Sequence, residues 1–182
     1  EISECLVGSE MCIRDRSNDT NESSRIYSTS NGGESWDIVG SGPATNIIKG
    51  VVYVSSDVGF FCYDYVEGMD SNLYKTDDGG KTFAKVMLEE QELDSSAANP
   101  QGQETETKTD SGKNGADSSE QLRWGDVYKE ALTPVVDSTG IITIYLTQGK
   151  NAVYNDGKTA AKYQSSDKGS TWKYIGQVEI KD

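Results

Sequence analysis

The chain has 182 residues, a formal net charge of −13, three cysteines and no histidine. An acidic chain without a Lys/Arg patch excludes nucleic acid and anionic membrane surfaces as partners, and the missing histidine removes the commonest general base and metal ligand. Apolar residues make up only 34%, while 19 glycines and 10 tyrosines suit short strands and tight turns better than helix bundles.

Residues 1–16 contain the run Cys-Leu-Val-Gly-Ser-Glu-Met-Cys-Ile-Arg-Asp-Arg (5–16), with neither strand alternation nor a helical stripe. The run resembles a translated sequencing-adapter string. That resemblance implies that residues 1–16 are not native and that the natural chain continues upstream, and residues 1–24 are expected to form a non-native or disordered segment. No secretory leader is visible in these residues, and no run of about 18 apolar residues predicts a membrane span.

Strand-like runs then alternate with an eight-residue segment that occurs three times. Its copies are Thr29-Ser30-Asn31-Gly32-Gly33-Glu34-Ser35-Trp36, Thr76-Asp77-Asp78-Gly79-Gly80-Lys81-Thr82-Phe83 and Ser165-Ser166-Asp167-Lys168-Gly169-Ser170-Thr171-Trp172. The shared pattern is [ST]-x-[DN]-x-G-x-[TS]-[WF], and each copy follows a short run containing a tyrosine. The Asp or Asn oxygen can accept from backbone N–H groups further on. Gly at the fifth position can take positive φ without strain, and the hydroxyls can satisfy other turn groups. The closing aromatic returns to the sheet and is expected to be buried between blades. The pattern therefore predicts a self-locked hairpin whose structural residues are Thr29, Asn31, Gly33, Ser35, Trp36, Thr76, Asp78, Gly80, Thr82, Phe83, Ser165, Asp167, Gly169, Thr171 and Trp172.

These segments resemble the Asp box, or BNR repeat, of sialidase-like β-propellers. The resemblance implies an all-β fold, a partial β-propeller of four-stranded antiparallel blades, about two and a half of them. The first two copies start 47 residues apart (76 − 29) and the next pair 89 apart (165 − 76). The longer interval reads as one blade with an insertion at 88–122, where nine acids face two lysines and apolar residues are scarce. Such a composition is expected to be disordered. Strands are expected at Ile47–Val54, Gly59–Tyr65, Leu73–Thr76 and Thr82–Met87. The last blade should use Val127–Val136, Ile141–Gln148, Ala161–Ser165 and Thr171–Glu179. The run Ile141 to Leu146 reads as a buried inner strand.

Fold does not fix function. The run Gly-Phe-Phe-Cys-Tyr-Asp-Tyr (59–65) and the stretch near 148–157 are similar to bacterial Asp-box lipoproteins. That likeness implies a non-catalytic binding or assembly propeller, extracellular or on the cell surface, with a protein or carbohydrate ligand. The alternative is a fragment of a sialidase or another propeller glycoside hydrolase. Such an enzyme needs several arginines, and only Arg25 and Arg123 lie outside residues 1–16. Its catalytic residues would then lie largely outside this chain, and no catalytic, cofactor or metal residue is assigned here. The turns at Asp77-Asp78 and Asn155-Asp156-Gly157 lack the alternating oxygen ligands of a calcium loop. Cys62, between aromatics, reads as a small buried hydrophobe. A stack of so few blades leaves faces and edges uncovered, so the isolated chain is expected to be unstable or to self-associate.

Overall fold

The computed structural model describes residues 3–7, 10–15, 24–93, 123–149 and 154–180. For 3–7, 10–15 and Asp156 the backbone alone is described. The described chain is mostly antiparallel β-sheet, in three sheets that do not close on one another.

The first sheet runs β1 (Ser3–Val7), β2 (Glu10–Asp15), β3 (Arg25–Thr29) and β4 (Asp37–Ser41), each strand pairing with its sequence neighbour. Within residues 1–24, Met11 to Asp15 pair with Arg25 to Thr29. Backbone pairing needs only free N–H and C=O groups, and the edge of β3 supplies them without any side-chain alternation.

The second sheet is β5 (Ile48–Tyr53), β6 (Gly59–Tyr63), β7 (Leu73–Thr76) and β8 (Ala84–Lys85), again in sequence order. Every residue of β6 is buried. Its apolar run lacks alternation because both faces of this sheet are covered. Phe61, Tyr63 and Tyr74 pack with Tyr53 against Ile26 of the first sheet. Phe60, Cys62 and Leu73 pack on the other face against Ala131, Ile142 and Ile144. Period-two alternation splits the strand between two cores.

The third sheet contains β9 (Glu130–Ala131), β10 (Val135–Val136), β11 (Ile142–Thr147), β12 (Thr159–Ser165) and β13 (Lys173–Glu179). One continuous strand was expected over Val127–Val136. The structure breaks it in two, and both pieces pair with β11. Pro134 lies in the break and has no N–H to give the ladder. The first residue of that expected strand, Val127, ends a helical turn instead, α1 (Trp124–Val127). As expected, β11 is an inner strand, with Ile142 and Ile144 fully buried.

Two further expectations shift. Residues 94–122 of the expected insertion lie outside the described residues. Residues 88–93 belong to the body: Leu88 and Leu93 pack against Trp124, Tyr128 and Tyr163, and the Glu89 carbonyl accepts from the Tyr163 hydroxyl at 2.6 Å. The turn aromatics were expected to be buried, yet Trp36, Phe83 and Trp172 are all half-buried. Phe83 meets Phe61 edge-on at 4.9 Å and Trp172 meets Phe60 at 6.0 Å. Phe83 and Trp172 sit at the margins of their cores, where the hairpins leave the sheets.

Candidate functional site

The three repeated segments form three turns closed by corresponding bonds. Each links the third to the fourth strand on its sheet's path: β3 to β4, β7 to β8 and β12 to β13. In the second turn the Thr76 hydroxyl donates to Asp78 Oδ1 at 2.9 Å and accepts from Gly80 N–H at 2.8 Å. Asp78 Oδ1 also accepts from Lys81 and Thr82 N–H at 3.0 and 2.8 Å, and Oδ2 accepts from the Thr82 hydroxyl at 2.6 Å. The third turn repeats this: Ser165 donates to Asp167 at 2.7 Å, Gly169 N–H donates to Ser165 at 2.8 Å, and Thr171 donates to Asp167 from N–H at 2.9 Å and from its hydroxyl at 2.6 Å. The first turn keeps the scheme with an amide. Asn31 Oδ1 accepts from Thr29 at 2.8 Å and from Ser35 N–H at 3.0 Å, while its NH₂ donates to Ser35 Oγ at 2.9 Å. The fifth residue has positive φ in each copy, at Gly33, Gly80 and Gly169. The fourth does too, including Lys168 at 57°, where the other copies have Gly32 and Gly79.

These bonds hold the Asp78 carboxyl down to about 2, led by the Thr82 hydroxyl and backbone. Asp167 is lowered as well, first by the Thr171 hydroxyl. A depressed folded pKa contributes stability that is full above the unfolded value of about 4 and is lost as pH falls through the folded value. Asn31 has no titrating group. The melting temperature should therefore fall between about pH 4 and 2, and the Asp78→Asn, Asp167→Asn double variant should show a shallower fall. Parallel pH profiles for the two proteins would contradict this assignment of the carboxylates. The neighbouring Asp77 is also engaged, paired with Lys75 at 2.7 Å.

A cleft of about 330 Å³ opens elsewhere, between the β6–β7 loop of the second sheet and the start of the third. Tyr65, Met69, Asn72, Trp124, Tyr128 and Lys129 line it. Trp124 and Tyr128 are nearly buried, with ring centroids 4.6 Å apart. At the rim Lys129 donates to Glu67 at 3.0 Å, which raises the Lys129 pKa and keeps the ammonium charged. Asp70 pairs with Lys85 at 2.6 Å, and that hydrogen bond lowers its pKa. On the floor, the Asn72 amide donates to the Tyr63 and Ala131 carbonyls at 2.8 and 2.9 Å and accepts from Ala131 N–H at 2.9 Å. Burial raises the Tyr128 pKa, against the hydroxyl of Thr159 bonded at 2.9 Å. Tyr128 therefore stays a neutral phenol at neutral pH, and two of the lining carboxylates, Glu67 and Asp70, are paired with lysines.

The residues singled out in the sequence and the residues of the cleft are separate sets. The turns lie at the strand ends, and no turn residue lines the cleft. Neither Asn72 nor the cleft aromatics carried a local motif. Asn72 acts on a residue 59 positions away, and only the assembled sheets reveal it. Gln148 has a similar role, donating to the Tyr154 carbonyl at 2.7 Å and accepting its N–H at 3.0 Å. It ties β11 to the 3₁₀ turn Tyr154–Gly157, where Asn155 has φ 47°. Cys62 is buried, donates to the Ala131 carbonyl at 3.2 Å, and has its pKa pushed up to about 11 by burial. Among the described residues no group of three His, Cys, Asp or Glu is arranged to hold a metal ion. Also among them, no helix is long and apolar enough to cross a membrane. No protein-family model matches the chain, and no curated protein matches it in sequence.

Proposed function

We propose that this chain is part of an Asp-box β-propeller that serves as a non-catalytic binding or assembly module of an extracellular or cell-surface protein. The fold part of the reading is supported by the corresponding bond sets in the three turns, each between the third and fourth strands of its sheet. The functional part rests on one observation: three polar side chains of the cleft are engaged with protein partners, Glu67 with Lys129, Asp70 with Lys85 and Asn72 with Ala131. Acid–base chemistry needs a carboxyl poised to give or take a proton within reach of substrate. A pair of carboxylates bonded to lysines is a poor acid and a poor base, whereas the half-buried Tyr65 ring at the cleft suits stacking on a sugar ring or an aromatic side chain.

The hydrolase alternative has less support. Among the described residues the arginine side chains are Arg25, in β3 of the first sheet, and Arg123, immediately before α1. They do not form the cluster that would hold a substrate carboxylate.

The test uses Trp124 as reporter. Trp36 and Trp172 are replaced by Phe, the residue already present at the same turn position in the second copy. Neutral and sialylated oligosaccharides are titrated while released sugar is measured. The expected result is a saturable change in Trp124 emission, absent in Tyr65→Ala, with no sugar released. Release of free sialic acid or reducing sugar would sink the proposal. Silence with every sugar would remove the carbohydrate ligand and leave a protein partner for the cleft.

A further inference from the structure

The three turns share their bonds but differ in chemistry at the third and fourth positions. In the second turn the pair is Asp78-Gly79, and the Gly79 N–H is tied to the Asp57 carbonyl at 2.8 Å. In the third turn the pair is Asp167-Lys168. In the first it is Asn31-Gly32, and among the described residues the Gly32 N–H has no acceptor. Asn31 and Gly32 are both exposed, and a Cβ on Gly32 would meet no atom within 4 Å beyond its chain neighbours. The other asparagines among the described residues, Asn46, Asn72 and Asn155, are followed by Ile47, Leu73 and Asp156.

An asparagine followed by glycine carries its own nucleophile. The backbone nitrogen of the next residue can close on the side-chain carbonyl carbon, and glycine leaves that approach without a Cβ in the way. In the first turn the carbonyl is also polarised. Asn31 Oδ1 accepts from the Thr29 hydroxyl at 2.8 Å and from the Ser35 N–H at 3.0 Å. Both donors face the oxygen that gains negative charge as the ring closes, as donors do in an oxyanion hole.

We propose that Asn31 is a modification site, whose side-chain amide is lost to attack by the Gly32 nitrogen and whose product, aspartate, completes in the first turn the bonds of the other two. The Gly32 nitrogen gives its proton to solvent and bonds to Asn31 Cγ. The Cγ–Nδ2 bond then breaks, and the leaving nitrogen takes a proton from water and departs as ammonia. A five-membered succinimide remains, and one water opens it. Opening at the Cγ–N bond restores the peptide and leaves aspartate. Opening at the other carbonyl routes the backbone through the side chain as isoaspartate. One water is consumed and one ammonia released, and the turn gains a negative charge.

The folded turn favours aspartate. That product keeps Oδ1 with its two donors and puts Oδ2 where Nδ2 stood. Ser35 Oγ now accepts from Nδ2 at 2.9 Å. Its hydroxyl need only rotate to donate to Oδ2, as the Thr82 and Thr171 hydroxyls donate to Asp78 and Asp167 at 2.6 Å. Isoaspartate lengthens the turn backbone by one carbon and draws the carboxylate away from those donors. No turn residue lines the cleft, so the site stands apart from the proposed binding role.

The test is peptide mapping of the whole chain by mass spectrometry after ageing in mildly alkaline, heavy-oxygen water. The peptide holding residue 31 should take up the heavy oxygen as aspartate, with isoaspartate the lesser product. Asn114-Gly115, the chain's other Asn-Gly pair, is read in the same digest, and ageing continues until it is converted. Gly32→Lys installs the residue that the third turn holds at this position with φ 57°. It should slow the loss at Asn31 several-fold and leave that at Asn114 unchanged. The wild-type map decides alone if circular dichroism shows that this variant is not folded. Asn31→Asp should melt no lower than the wild type at neutral pH. An Asn31 that keeps its amide while Asn114 is converted, isoaspartate as the main product, a folded Gly32→Lys that loses the amide as fast, or an Asn31→Asp that melts well below the wild type would each overturn the proposal.

Discussion

Replacing Asn72 by leucine is expected to destabilise the protein by about 3–5 kcal/mol, the largest effect of any polar substitution in the described chain. Leucine keeps the branched shape and the number of heavy atoms, so the loss is not a cavity. Asn72 is 1% exposed, and its side chain meets the N–H and C=O of Ala131 much as the peptide of a partner strand would. It also holds the Tyr63 carbonyl at 2.8 Å. Without the amide, Ala131 N–H loses its acceptor inside the joint between two sheets, and two carbonyls lose their best donor. Each buried unpaired group costs about 1–3 kcal/mol. The Cys62 thiol, already 3.2 Å from the Ala131 carbonyl, is too weak a donor to substitute. Asn72→Asp makes the control: it keeps an acceptor for Ala131 N–H but sets a carboxylate against both carbonyls, and should be no better than leucine. Urea unfolding at fixed m-value reads both. A loss below about 1 kcal/mol for the leucine variant would mean that the joint is held by apolar packing alone.

How much of this was legible in the sequence follows the range of each interaction. The turns were legible because their bonds span at most four residues, as in Thr76 to Gly80 and Asp78 to Thr82. The strand runs after Arg25 were legible from β-branched and aromatic content. The split of Val127–Val136 was not, because β-prone residues lie on both sides of Pro134, which has no N–H for the ladder. The N-terminal strands left no pattern, since their pairing with β3 is a backbone matter. The length of β6 looked like an unbroken apolar strand, yet its division between two cores depends on which sheets flank it. The cleft and the Asn72 clamp were invisible for the same reason. Their residues come from loops and strand ends far apart in the chain, and no local spacing encodes their meeting.

The three turn glycines should separate the cost of backbone strain from the cost of a crowded joint. Gly33, Gly80 and Gly169 have φ of 94°, 97° and 77°, so an alanine at any of them is strained to a similar degree. For a residue with a Cβ that strain costs roughly 1–2 kcal/mol. Their surroundings differ. A Cβ at Gly33 meets only the Trp36 ring at an ordinary 3.6 Å. At Gly80 it comes within 3.1 Å of Ile26 Cγ2 and the Tyr53 hydroxyl, which must yield by a few tenths of an ångström. At Gly169 it would lie 2.5 Å from Phe60 Cζ, a ring that is fully buried and has no free rotamer to take. Overpacking of that kind adds about 1–3 kcal/mol. Gly33→Ala should therefore lose about 1–2 kcal/mol, Gly80→Ala somewhat more, and Gly169→Ala about 3–5 kcal/mol. Denaturant midpoints for the three variants give the order directly. Equal losses would mean that the glycines serve the turn alone and that the sheets are not joined through them. A loss at Gly33 matching that at Gly169 would mean instead that the far face of the first sheet is already covered.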